Sequence, residues 1–366
     1  MKIVQIVDVR WYNACADFAI QQALGLLRLG HEVFLMANPG SPPATKARDT
    51  GLDVTEDVDF ASKNIIRSVR RLQRLAKDFR PDIIFAHRGE SHLIGALASR
   101  KIGCPIARFR GDVRSPRGGM FSRILNDRMT HGIAVSTVRL KNEYESRFRL
   151  NGIPLTVIYP GIDSSRFQTA KPKVELKTQF GLDPERNVIG IVGRLSPVKG
   201  HRYFLQAARI VSEKNPDIQF VIAGEDAQIS ALELKEYAES LGLANLHFFG
   251  LIENIEDLIS SFDIGVIASV GSEMICRVLM EYFAAGISVV ATRMNQLEEL
   301  INLSGAGSMV PPGDPRGMGE AILELIEDES KRAAAATASG SWVRAYGTLE
   351  RLGRDTEVFL RQVIDG

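Results

Sequence analysis

The chain has 366 residues, more than one ordinary domain holds and comfortable for two. Hydrophobic residues make up 45% and charged residues 24%, which argues against a disordered chain. The net charge of +1 conceals an asymmetry, since residues 1–170 hold 26 Lys+Arg against 16 Asp+Glu and the remainder holds 19 against 28. A basic first half fits an anionic partner, although a solvated basic surface gives the same count. Cys15, Cys104 and Cys276 lie far apart with no CxxC, which disfavours a disulfide framework or a structural zinc site. The start, MKIVQIVDV, reads as a strand rather than a secretory signal, and no apolar run of about 18 residues offers a membrane span. A cytoplasmic location in a reducing compartment is the expectation.

Short apolar runs alternate with longer amphipathic ones, the pattern of parallel α/β units. Ile3–Val7 reads as a strand, Phe18–Leu29 as a helix closed by Gly30, and His31–Ala37 as a second strand. A basic helix over Ile65–Phe79 carries Arg67, Arg70, Arg71, Arg74 and Lys77, and Pro81 ends it. Strands follow at Ile83–Ala86, Pro105–Phe109, Gly132–Val135 and Thr156–Tyr159, the last running into a turn at Pro160-Gly161. The alternation then restarts. Strands are expected at Val188–Val192, Gln219–Ala223, His247–Phe249, Ile264–Ile267 and Ser288–Ala291. Helices are expected at Tyr203–Lys214, Leu232–Leu241, Arg277–Ala285 and Met318–Glu327. The expected fold class is α/β with two Rossmann-like domains, 1–165 and 166–340, and a tail over 341–366. Ligands of such sheets bind at the carboxyl ends of strands, so the expected site is a cleft between the two domains.

Four features of the second half converge on one ligand type. In GIVGRLSPVKG a strand ends at Gly193, and Arg194 and Lys199 follow. Glycine lets a phosphate approach the backbone, and the two cations can grip its oxygens. A surface turn with chance charges is the competing reading. Gly224 and Glu225 close a second strand, and Gly250 with Leu251 closes a third. Each is equally explained as a plain turn. Glu273 and Glu281 are the strongest pair. A helix is expected to begin near Met274, and free N–H groups at a helix N-terminus bind phosphate. Glu281 lies on an otherwise apolar stretch, where a carboxylate needs a partner, and a ribose diol would serve. Two salt-bridged glutamates are the alternative.

These stretches resemble the retaining glycosyltransferases of the group 1, family 4 type, which have the two-domain GT-B fold. The resemblance rests on GIVGRLSPVKG, VIAGED, FFGLIENIEDLISSFDIGVIAS, the Glu273–Glu281 pair, AAGISVVAT and GAGSMVPPGD, in that order. The first half matches more loosely, through LLRLGHEV, PDIIFAH, HGIAVSTVRLKNEY and VIYPGID. The resemblance implies that Arg194 and Lys199 bind the donor diphosphate, Glu281 the ribose and Glu273 the donor sugar. Gly193, Gly224, Glu225 and Leu251 would line the nucleotide. Met274, Ile275 and Cys276 would offer backbone N–H groups. It also implies a nucleotide-sugar donor, a glycan or glycolipid acceptor, no cofactor, no metal, and a C-terminal tail that packs back on the first domain. Two departures stand out. The family has small, glycine-rich residues after the first glutamate, where this chain has Met274, Ile275, Cys276 and Arg277. The family's paired glycines after the first strand are replaced by Trp11-Tyr12-Asn13-Ala14-Cys15-Ala16.

His87, at the end of its strand, is placed to touch sugar or acceptor, or else is structural. Asp112 could orient an acceptor hydroxyl, and Arg108, Arg110, Arg114 and Arg117 could meet an anionic acceptor such as a lipopolysaccharide core. The basic helix over 65–79 could instead lie against an anionic membrane. Asp57-Val58-Asp59 is a DxD triplet outside its usual context. A nicotinamide oxidoreductase would need GxGxxG after the first strand, and no glycine occurs between Asp8 and Phe18. Nucleic-acid binding lacks an aromatic platform and faces an acidic second half. A nucleotide-sugar epimerase, a pyridoxal-dependent sugar phosphorylase and a non-catalytic nucleotide-sugar binding protein remain as alternatives.

Overall fold

The computed structural model describes residues 1–58, 60, 64–168 and 171–366. Asp59 of the DxD triplet lies outside the described residues, and Asp57 pairs with Arg71 at 2.7 Å. The chain divides into two compact units, one of Met1–Gly161 with Gly347–Gly366, the other of Ile162–Tyr346.

The first unit runs β1 (Lys2–Val7), α1 (Ala14–Arg28), β2 (Glu32–Ala37), α2 (Pro42–Asp49), β3 (Asp53–Thr55), α3 (Ile65–Phe79), β4 (Ile83–Ala86), α4 (Gly89–Ile102), β5 (Ile106–Arg110), α5 (Met120–Arg128), β6 (Gly132–Val135), α6 (Val138–Arg147) and β7 (Leu155–Val157). The second runs α7 (Lys173–Gln179), β8 (Val188–Val192), α8 (His201–Lys214), β9 (Gln219–Ala223), α9 (Ala231–Ser240), β10 (Leu246–Phe249), α10 (Ile255–Ser260), β11 (Ile264–Ile267), α11 (Arg277–Ala284), β12 (Ser288–Thr292), α12 (Asn295–Ser304), β13 (Gly307–Val310), α13 (Pro315–Glu327) and α14 (Glu329–Tyr346). The last helix, α15 (Leu349–Asp365), belongs to the first unit.

Both sheets are parallel, which explains why their strands read as continuous apolar runs: helices cover both faces. The first sheet has the order β3-β2-β1-β4-β5-β6-β7, and the second β10-β9-β8-β11-β12-β13. In each, the chain works outward from one strand and then returns to its other side. The strand order therefore reverses between β1 and β4, and between β8 and β11. Loops leaving adjacent strands part there and open a crevice at the carboxyl edge.

The tail expected over 341–366 divides. Through Tyr346 it belongs to the second unit, where Trp342 packs edge-on against Phe283 at 5.6 Å. From Gly347 it belongs to the first. There α15 lies against α1, and Gln22 Nε2 donates to Thr356 Oγ1 at 2.8 Å inside the contact. Two glycines permit that approach. A Cβ on Gly25 would lie 2.6 Å from the Leu349 carbonyl oxygen, and one on Gly353 would lie 2.5 Å from that of Gly25. Backbone would have to move. Gly353→Ala should therefore destabilise the first unit by about 1–3 kcal/mol, the usual cost of overpacking. Urea unfolding checks this, and an unchanged midpoint would contradict the close approach.

Candidate donor site

The second unit's switch point gathers the sequence motifs. β8 ends into Gly193 and Arg194, its neighbour β9 into Gly224 and Glu225, and β10 into Gly250 and Leu251. Because the strands are parallel, these residues share the carboxyl edge. Gly224 is required there, since a Cβ would lie 2.0 Å from the Gly193 carbonyl oxygen. Arg194, Glu225 and Leu251 are exposed. Arg194 has no carboxylate partner among the described residues.

The loops after β8 and β11 are stitched across the crevice. The Val270 N–H donates to the Val198 carbonyl at 2.9 Å. Gly200 (φ +74°) sits so close beneath that a Cβ would lie 1.9 Å from the Ala268 carbonyl oxygen. Lys199 Nζ meets Glu273 Oε1 at 2.5 Å, and Ser269 Oγ donates to the same oxygen at 2.7 Å. Glu273 is almost fully buried, whereas the Lys199 side chain keeps 28% of its surface. Burial alone would lower the Lys199 pKa, but the Glu273 carboxylate outweighs it and holds the ammonium above its usual range. Lys199 thus presents a fixed cation at the mouth of the crevice.

Glu273 stands in a left-handed backbone conformation (φ +57°), directly after Ser272 (φ +70°). Two such residues that are not glycine cost roughly 1–3 kcal/mol each, so their surroundings must enforce them. The brace comes from α12, in residues that sequence reasoning missed. Gln296, fully buried, donates its N–H to the Glu273 carbonyl at 3.1 Å and accepts the Cys276 N–H at 2.9 Å. Asn295 Nδ2 donates to the Ser272 carbonyl. Their one sequence signal is a pair of amides opening a helix after a buried strand.

Two expectations need correction. α11 begins at Arg277, not near Met274, because the strained turn at 272–273 leads into a bend at 274–275 and the Gln296 brace holds Cys276 in extended backbone just before the helix. The Cys276 N–H is already taken by Gln296, so it is not offered to a ligand. Met274, Ile275 and Cys276 are themselves buried. Glu281 lies on α11, 4% exposed, and accepts from Arg277 Nε at 2.7 Å. Arg277, one of the residues that depart from the family pattern, therefore supplies the buried carboxylate with a resident cation. The next residue, Tyr282, anchors the helix: its hydroxyl accepts from the Val192 N–H at 3.1 Å. Its ring fills the space that Gly265 leaves open, where a Cβ would come within 2.5 Å.

Residues 173–342 match the family Glycosyl transferases group 1, and residues 17–166 match Glycosyltransferase Family 4. The chain belongs to the GT-B glycosyltransferases of the group 1, family 4 type. Among the relatives of this chain, the D-inositol 3-phosphate glycosyltransferase of Corynebacterium urealyticum is 32% identical over 192 residues, 50% of this chain and 45% of that protein. The lipopolysaccharide core biosynthesis mannosyltransferase LpsB of Rhizobium meliloti is 32% identical over 194 residues, 51% of this chain and 55% of that protein. The match thus spans about half the length of these relatives. The crystal structure of Anabaena Alr3699/HepE in complex with UDP has the same fold, with a TM-score of 0.86 at 20% identity, covering 99% of this chain and 100% of that one.

The first unit treats its expected residues differently. His87 is 3% exposed, packed against Phe18, Phe85 and Phe109, with its Nε2 3.0 Å from Gln5 Nε2. Burial pushes its pKa down to about 3, so it is a neutral core ring rather than a group open to a substrate. Arg108 is also buried, with Nη1 3.3 Å from His92 Nδ1, and is withdrawn from any acceptor surface. Asp112 lies 3.7 Å from Arg110 Nε and 3.9 Å from Arg108 Nη2. Asn13 caps α1, accepting the Cys15 and Ala16 N–H groups at 3.0 and 3.1 Å.

Two predictions follow from burial. Lys199→Ala leaves the Glu273 carboxylate buried with the Ser269 hydroxyl still donating to it; with the lysine part-exposed, the loss should be about 2–4 kcal/mol of unfolding free energy, measured in urea. His87 and His201, held at about 3 and about 4, stay neutral when folded but protonate near 6.5 when unfolded. The unfolded chain then binds more protons, so stability present above that value falls as pH drops, by up to about 1.4 kcal/mol per group per pH unit. A urea midpoint that stays flat between about pH 7 and about pH 5 would contradict the neutral rings.

Proposed function

We propose that this chain transfers a sugar, with retention of configuration, from a nucleoside diphosphate sugar to a hydroxyl of an anionic glycan or glycolipid. The observation that carries the reading is the Lys199–Glu273 pair at the switch point, with Glu281 held on the adjoining helix. The diphosphate would lie at Gly193, Arg194 and Lys199. As the bond from the sugar carbon to the phosphate oxygen breaks, negative charge builds on the diphosphate, and fixed cations that need no reorganisation stabilise it. Glu273 would accept from donor-sugar hydroxyls and Glu281 from the ribose. The acceptor oxygen attacks from the face the diphosphate leaves, and a departing phosphate oxygen takes its proton. No metal and no further cofactor enter this reaction. The UDP in the complex of the Anabaena protein makes uridine the first base to test. The name of the Rhizobium relative and the basic first half support a lipopolysaccharide-core acceptor.

Thermal stabilisation by UDP, GDP, ADP and CMP tests the donor site. A ligand at 100 times its Kd adds about 2.7 kcal/mol. One nucleoside diphosphate should stabilise the wild type, and Lys199→Ala and Glu281→Ala should each lose most of that gain. Release of the diphosphate only when an acceptor is present, undiminished in EDTA, separates transfer from epimerisation and from binding alone. If none of the four nucleotides stabilises the wild type, the donor-site reading falls.

A further inference from the structure

The first sheet has a switch point of its own, between β1 and β4, and a hollow lies there. Its volume is about 350 Å³, within the range of small-ligand pockets. Asp8, Arg10 and Trp11 reach it from the loop after β1, Arg88 from the end of β4, and Glu90 from the first turn of α4. Phe60, fully buried, lines it as well. Ligands of open parallel sheets bind where the loops part in this way.

Four of these residues are charged, two of each sign. Among the described residues none of the four forms an ion pair. They are nonetheless neighbours, since Asp8 feels the charges of Glu90, Arg88 and Arg10. Asp8 receives one hydrogen bond, from Asn38 Nδ2 at 2.9 Å. Burial raises its pKa, the Asn38 bond works against that rise, and Glu90 adds to it. Opposite charges held round a hollow without closing on one another leave their donors and acceptors to a ligand.

Trp11 adds a surface of another kind. Its side chain is 59% exposed, with no ring partner among the described residues. The loop is fixed directly after it, because the Tyr12 hydroxyl donates to Asp17 and Asn13 caps α1. Trp11 opens the segment that stands where the family has paired glycines, so the ring belongs to this chain rather than to its fold.

We propose that the hollow holds the terminal pyranose of the acceptor, a sugar that itself carries a carboxylate or a phosphate. Its apolar face lies on the Trp11 indole, its hydroxyls donate to Asp8 and Glu90, and its anionic substituent meets Arg10 and Arg88. An indole offers a broad apolar face to a C–H surface, carboxylates accept from hydroxyls, and arginine grips carboxylate or phosphate with two N–H groups. A nucleotide fits less well, because Asp8 and Glu90 would repel its phosphates. A neutral sugar would leave both arginines unmatched. The inference rests on the reading of the acceptor as an anionic glycan, and it places the anion on the sugar that receives the transfer.

The emission of Trp11 tests it on the whole chain. The other tryptophan, Trp342, is buried against Phe283 in the second unit, so a change on adding sugar belongs to Trp11. The probes are methyl glucuronoside, glucose 6-phosphate, methyl glucoside and inorganic phosphate. The two acidic sugars should change the emission and bind at least about tenfold more tightly than methyl glucoside. Arg10→Gln with Arg88→Gln should remove that preference, and Asp8→Asn with Glu90→Gln should weaken all three sugars. In calorimetry Trp11→Ala should weaken the acidic sugars about tenfold. None of the substituted side chains lies in the core, and stabilisation by the donor nucleotide, read on each variant, should persist. Three results overturn the proposal: unchanged emission with both acidic sugars, equal affinity for methyl glucoside, or inorganic phosphate bound as tightly as glucose 6-phosphate. A wild type that binds the acidic sugars but is stabilised by no nucleotide would count instead against the donor-site reading.

Discussion

A lysine and a glutamate that meet at 2.5 Å decide what the second unit's crevice can be. Lys199 comes from the loop after β8 and Glu273 from the loop after β11, the two strands between which the sheet order reverses. A parallel sheet makes these loops diverge, and without a tie they would enclose nothing. The ion pair, the Val270–Val198 hydrogen bond and the close seat of Gly200 bring them together. In its nearly closed setting one oxygen of Glu273 is shared by the Lys199 ammonium and the Ser269 hydroxyl, so the buried carboxylate is both paired and hydrogen-bonded. Its backbone is held in an unfavourable conformation by the amides of Asn295 and Gln296. The carboxylate is thus held in one orientation by the protein itself, which would spare a ligand the cost of ordering it.

Much of this was legible in the sequence, and the reason is physical. Strands of a doubly covered parallel sheet are apolar throughout, so Ile83–Ala86, Gly132–Val135, Val188–Val192, Gln219–Ala223 and Ile264–Ile267 stand out as runs with sharp ends. The glycines after them mark where backbone meets backbone. Polar or small-residue elements were silent: α2, α4, α5 and α6 lack a wide apolar stripe, β3 has only three residues, and β13 opens on Gly307-Ser308, whereas β7 was read one residue late, from Thr156. At the site, charge type was readable but commitment was not. Nothing in one dimension says that the Cys276 N–H belongs to Gln296, or that Arg277 reaches one turn along its helix to Glu281. His87 and Arg108 looked available because they stand at strand ends, yet Gln5, His92 and a ring of phenylalanines enclose them. Contacts that join distant parts of the chain leave no local signature.

The family's glycine-rich segment after the first glutamate is replaced here by large residues, and the structure shows how the fold absorbs them. Met274, Ile275 and Cys276 turn into the interior instead of lining the opening. Arg277 stays partly exposed and supplies a charge opposite Glu281. A segment that would otherwise be pliable is fixed by packing and by Gln296, so its shape owes more to the core than to a ligand.

The chain leaves the first unit at Gly161 and returns to it at Gly347. Its closing helix fills places that earlier residues have prepared: Val363 and Phe359 lie where a Cβ on Gly132 would sit, and the Thr348 carbonyl lies against Gly161. During synthesis the second unit, being continuous, can fold as soon as it emerges. The first unit must wait with one face of α1 uncovered until the final helix leaves the ribosome. The first unit, begun before the second, is therefore completed after it, and the apolar face of α1 is the surface a chaperone would meet in the interval.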